Sequence, residues 1–195
     1  ILAAVALAAF VTILVMAVYP IYKSRHAGAN PEAAQETPVP QSEKYSWDWF
    51  QQPDAQPVEG QAHIELTTAE RPLMLTESEN EEKPYVWSIL LFAQETNGVS
   101  FTMEKVTEVY FNNEKLPMQT AEMTANEIEW YWYSTRLEAG GMTSYATDRP
   151  ADGGIGYGVA VEGKDDNGNE LTFKLYIPFS SEIKPELTPE DFTGE

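Results

Sequence analysis

Residues 155–179 read IGYGVAVEGKDDNGNELTFKLYIPF, and their alternation decides the fold class. Ile155, Tyr157, Val159 and Val161 fall on one parity, with Gly156, Gly158, Ala160 and Glu162 on the other. Side chains of a strand alternate between faces, so one face here is large and apolar and the other is small. Leu171, Phe173, Leu175, Ile177 and Phe179 repeat the pattern against Thr172, Lys174 and Tyr176. Asp165-Asp166-Asn167-Gly168 between the runs supplies turn chemistry, so the segment predicts a β-hairpin.

The pattern extends upstream. Residues 84–94 (PYVWSILLFAQ) are apolar on both parities, which suits a strand in the middle of a sheet, covered on both faces. Asn97-Gly98 marks a turn, and residues 99–111 carry the Val, Thr, Phe and Tyr typical of strands. Weaker strand signals occupy 61–68, 73–75 and 142–146, with a turn at 137–141 and a loop at 148–154. Residues 121–133 read two ways. Thr124-Ala125-Asn126-Glu127 fits a capping box that would put Ile128, Tyr131 and Trp132 on one helical face, yet 129–133 also has strand preference. Six or seven short strands joined by Gly, Asn and Pro turns predict a mainly β fold, an antiparallel β-sandwich of immunoglobulin-like type.

The chain opens differently. From Ile1 to Tyr19 only Thr12 is polar. As a helix this run is roughly 28 Å long, close to the roughly 30 Å of a bilayer core. The expected organisation is a transmembrane helix at 1–22, a juxtamembrane segment and Pro-containing linker at 23–59, a β-sandwich at 60–182 and an acidic tail at 183–195. The first residue is Ile rather than Met, from which a fragment is expected. Ala27-Gly28-Ala29 offers the rival reading of a cleaved signal peptide, against which the apolar run is long and Lys23, Arg25 and His26 intervene. Residues 27–44 combine Pro31, Pro38 and Pro40 with small and polar residues, the composition of a semi-extended tether. The aromatic cluster at 45–50 (YSWDWF) either docks onto the domain, lies in the headgroup belt or faces a partner.

Charge and chemistry narrow the function. All 31 acidic residues follow Asn30, whereas Lys23 and Arg25 precede it, and the net charge is −19. A surface so acidic disfavours nucleic-acid binding by the β domain, because phosphate contacts need a basic face. With no cysteine there is no disulfide framework and no thiolate metal site. His63 is the only histidine of the domain, no G-x-S-x-G elbow occurs, and no catalytic residue, metal ligand or cofactor site is expected. Asp165-Asp166-Asn167-Gly168-Asn169 fails EF-hand spacing, since Glu170 stands where Gly is needed and Tyr176 where an acid is needed. A hairpin turn explains these residues, with a weak calcium site as the alternative. Four adjacent aromatics, Trp130, Tyr131, Trp132 and Tyr133, cannot all point inward from one element. They are the candidate interaction patch for a protein or carbohydrate, against the alternative of core packing.

Three segments together, WDWF at 47–50, NGVSF at 97–101 and EGKDDNGNELTF at 162–173, resemble a family of poorly characterised proteins. These are single-span, extracytoplasmic β domains of Gram-positive gut bacteria, some of which follow a cytoplasmic helix-turn-helix module. The resemblance implies a sensory or interaction role at the cell membrane and brings no site residues. The expectation is a membrane-anchored, extracytoplasmic binding or sensing domain without catalytic activity, held in the membrane through Ile1 to Tyr19. The alternative is the C-terminal sensory part of a membrane-bound transcription regulator, its DNA-binding module upstream of Ile1. A small hydrolase using scattered carboxylates ranks last.

Overall fold

The computed structural model describes residues 44–78 and 82–184. The expected transmembrane helix, nearly all of the tether and the tail beyond Lys184 lie outside the described residues. Among those described, no helix is long and apolar enough to cross a membrane.

The described chain is mainly β. In order it forms α1 (Trp47–Gln51), β1 (Ile64–Thr68), β2 (Leu73–Glu77), β3 (Tyr85–Glu95), β4 (Phe101–Asn112), β5 (Pro117–Met123), α2 (Ala125–Tyr131), β6 (Arg136–Leu137), β7 (Met142–Pro150), β8 (Gly154–Asp165) and β9 (Glu170–Ile183). The sheet is mixed. The expected strand at 84–94 is central: β3 pairs with β7 on one side and with β1 and β2 on the other. A second group runs β5–β4–β8–β9, with β6 beside the start of β4. Strand β9 joins the groups, lying antiparallel to β8 along its length and parallel to β2 at its end, through Phe179 and Ile183. It therefore continues one residue past the expected end of the domain at 182. One antiparallel and one parallel neighbour of β9 make the sheet mixed rather than purely antiparallel.

One core takes side chains from both groups. Trp87, Ile89, Leu91 and Ala93 of β3 meet Tyr157, Val159 and Val161 of β8 and Phe173 and Ile177 of β9. Strand β4 contributes Phe101 and Met103, then Val106 and Tyr110. The change of parity comes from a bulge at Glu104, where two residues of β4 face one step of β8. A second bulge between Phe111 and Asn112 does the same to Ile155. Ile155 consequently packs with Val109, Phe111, Ala160 and Tyr176 on the opposite face, not with Tyr157 as strict alternation predicts. Strand β5 carries no clear sequence signal. Its polar residues Gln119, Thr120 and Glu122 are mixed with Pro117, Met118 and Ala121, and only Met123 is buried.

The turns at one end of the body are gathered by two buried carboxylates. Glu95, wholly buried at the end of β3, accepts backbone N–H groups from His63, Asn97, Gly98 and Gly140. Burial pushes this carboxyl up, but the four N–H donors outweigh it and hold it below the usual range. Asp165 accepts from Ala62, Asn167 and Asn169 backbone N–H groups and from the Asn169 amide. The β8–β9 hairpin turn thus lies where the sequence puts it. His63 sits just before β1, its ring edge-on to Phe173 at 5.6 Å.

Candidate functional site

The run 130–133 is split by the helix that carries it. Thr124 donates both its backbone N–H and its hydroxyl to Glu127, 2.7 Å each, which starts α2 where the capping box predicts. One turn later Ile128 and Trp132 both point into the core and are fully buried. Trp132 stacks on Tyr145 of β7 at 5.3 Å, and Thr143 donates its hydroxyl to the Trp132 carbonyl. Trp132 therefore leaves the candidate interaction patch: the i, i+4 spacing from Ile128 places it on the inward face. Tyr131 is half-buried and meets Tyr145 edge-on at 6.1 Å.

Trp130 and Tyr133 lie outside, 66% and 47% exposed. Tyr133 follows the last turn of α2 with φ +62°, the left-handed slot that glycine usually fills after a helix. A bulky residue there costs about 1–2 kcal/mol. The outer surface is thus two rings on a helix end fixed from beneath by Ile128 and Trp132. Glu127 and Glu129 are their anionic neighbours in the chain, Glu129 accepting the Thr135 N–H.

Beneath Tyr145 lies a polar cluster that the sequence reading did not single out. Glu108 is on the inward parity of β4 and is only 5% exposed. Arg149 of β7 donates to it at 2.7 Å, and the Tyr157 hydroxyl donates to its other oxygen. The pair links the two strand groups through their side chains. Burial, then the Glu108 charge, pushes the Tyr157 and Tyr145 hydroxyls well above the ordinary phenol range. These phenols stay neutral donors. A Glu on the same parity of β4 as Val106 and Tyr110, with an Arg near the end of β7, was the available signal.

On the opposite face of the β4–β8–β9 group, the aromatic cluster of the expected linker is docked. Ser46 caps α1 by accepting the Trp49 N–H at 3.2 Å, and Phe50 is buried. Trp47 packs edge-on against Tyr176 at 4.5 Å and Phe111 at 5.6 Å. The Lys174 ammonium lies 4.7 Å from the Trp49 ring centre and donates to the Trp49 carbonyl. Tyr45 and Lys44 both reach Glu162, whose carboxyl is pushed up by burial and then drawn below the usual range by those two and Lys105. The packed body thus begins ahead of residue 60.

No group of three or more His, Cys, Asp or Glu side chains arranged to hold a metal occurs among the described residues. No protein-family model matches the chain, and no curated protein matches it. Among solved structures it is similar to one described as an ApaA protein of Bordetella pertussis, at 13% identity and TM-score 0.47, over 67% of this chain and all of that one. A structural-genomics target of undescribed function aligns at 12% identity and TM-score 0.44, over 71% and 99%. The CooA pilin subunit of enterotoxigenic Escherichia coli aligns at 12% identity and TM-score 0.29, over 63% and 99%. At TM-scores below 0.5 these likenesses carry no argument about what the chain does.

Proposed function

We propose that this chain is a membrane-anchored, extracytoplasmic β-sandwich domain of immunoglobulin-like type that binds or senses a partner without catalysing a reaction. The anchor reading rests on the apolar run from Ile1 to Tyr19 ahead of an acidic body. The sandwich reading is supported by one core filled from the inward parities of two strand groups. The observation that carries the binding role is Trp130, a large ring two-thirds exposed on a helix pinned from below. Rigid exposed aromatics supply contact area at little entropic cost, which is why Trp and Tyr dominate binding hot spots. The tether at 27–44 would carry this surface clear of the lipid.

A photo-crosslinking residue placed at 130 in the full chain, in cells, tests the role. Discrete adducts from position 130, lost on Tyr133→Ala and absent from the exposed control position 172, are expected. Equal labelling from 130 and 172, or none from 130, contradicts it.

A further inference from the structure

The docked aromatic segment is built unlike the rest of the body. It is held almost entirely by side chains: Phe50 and Trp47 in an apolar groove of Val109, Phe111, Ala160 and Tyr176, and Tyr45 on Glu162. Its helix has five residues, far short of what is stable alone. It joins the body through residues 53–57, which are exposed and belong to no helix or strand. Its other end enters through Tyr45 at φ +68°, a left-handed conformation that an aromatic residue rarely adopts. The groove is shaped for it. A Cβ on Gly158 would stand 2.6 Å from the Phe50 ring, so the absence of a side chain on β8 is what admits Phe50.

We infer that residues 44–51 are a releasable latch, an intramolecular ligand that leaves the β4–β8–β9 groove as a unit while the β body stays folded. Local openings involve parts with few buried contacts and little backbone bonding to their neighbours. The latch has the second property, since its backbone meets the body through the Trp49 carbonyl, which accepts from the Lys174 side chain, whereas the strands beneath it are bonded in ladders. Its release bares an apolar, aromatic-lined groove and frees Lys44 and Tyr45, the first described residues, from Glu162. That consequence for a tethered domain rests on the proposed anchor; the latch itself does not.

Hydrogen exchange and chymotrypsin cleavage of the full chain test it. Residues 51–60 contain no aromatic residue, so cleavage in this region at chymotryptic sites must fall within 45–50. The peptide spanning 45–52 is expected to exchange about a hundredfold faster than β4 and β8, with a shallower urea dependence, and to be nicked while the body stays whole. Gly158→Ala, which displaces the Phe50 ring, should raise both rates about tenfold and leave β3 and β7 protected as before; in a Phe50→Ala background it should change neither. Exchange of 45–52 at the rate and urea slope of β4 and β8 overturns the inference. So does a Gly158→Ala effect that spreads evenly over all strands. Neither outcome depends on where residues 1–19 reside.

Discussion

Replacing Arg149 with Met removes the cation from the buried pair and leaves Glu108 with neutral donors, the Tyr157 hydroxyl among them. The Glu108 side chain is 5% exposed and Arg149 21%, with 2.7 Å between them, so water cannot readily take the place of the guanidinium. Breaking such a pair from one side costs about 3–5 kcal/mol, because an uncompensated charge stays buried. At about 2.1 cal/mol/K per residue, a body of this size unfolds with an entropy of about 0.3 kcal/mol/K, so Tm should fall by about 10–17 °C. Urea unfolding followed by far-ultraviolet circular dichroism measures the loss as a lower midpoint at unchanged slope. The double variant Arg149→Met with Glu108→Leu should regain most of the stability, since an apolar pair in the same space is often no worse than the ions. A coupling of about 2 kcal/mol or more between the sites is the signature. A loss under about 1 kcal/mol for Arg149→Met, or a double variant no more stable than the single, would refute the reasoning.

Other outcomes follow from the same geometry. Trp132→Ala should cost about 3–5 kcal/mol, and Trp130→Ala no more than about 0.5 kcal/mol, in the same urea assay. Tyr133→Gly should stabilise the domain by about 1 kcal/mol, by relieving the left-handed backbone, while removing half of the exposed aromatic pair; calorimetry reads the first effect and position-130 crosslinking the second. Thr124→Ala should cost about 1 kcal/mol by uncapping α2. Glu95 gives a pH dependence. Its folded-state pKa lies below its unfolded value, so its contribution is complete above the ordinary Glu value of about 4.3 and is lost as pH falls through the folded value. Glu95→Gln should lower stability at pH 7 and flatten the acid limb of the stability–pH curve; an unchanged acid limb contradicts the assignment.

Two parts of the β structure read most clearly from sequence. The β8–β9 hairpin alternates over most of its length, and β3, lying between β7 and the pair β1 and β2, buries Trp87, Ile89, Leu91 and Ala93 on one face and Phe92 on the other. Alternation misleads where a bulge intervenes. Ile155 changes face at one, and β4 carries Phe101 and Met103 on odd positions but Val106 and Tyr110 on even ones because of Glu104. Strand β5 is silent because an edge strand that buries Met123 alone needs no apolar pattern. In the aromatic run, helical spacing decides which rings are inside, so reading 124–133 as a helix already separates Trp132 from Trp130. The Glu108–Arg149 pair was illegible for another reason. The two residues lie 41 positions apart on strands that do not pair with each other, and only the packing of the two strand groups around one core brings them together. The small face of β8 was visible as Gly156, Gly158 and Ala160, but what covers it, the segment from Tyr45 to Phe50, comes from the far end of the domain.

The central claim is that a β body is held at the outer face of a membrane by the apolar run ahead of it. Chymotrypsin added to intact cells, with the chain followed by antibodies to each end, tests this most directly. The account predicts that the body is reachable without lysis, and that a fragment containing residues 1–19 stays in the membrane pellet after alkaline carbonate extraction. A body cleaved only after lysis, or a chain recovered whole in the carbonate supernatant, contradicts it.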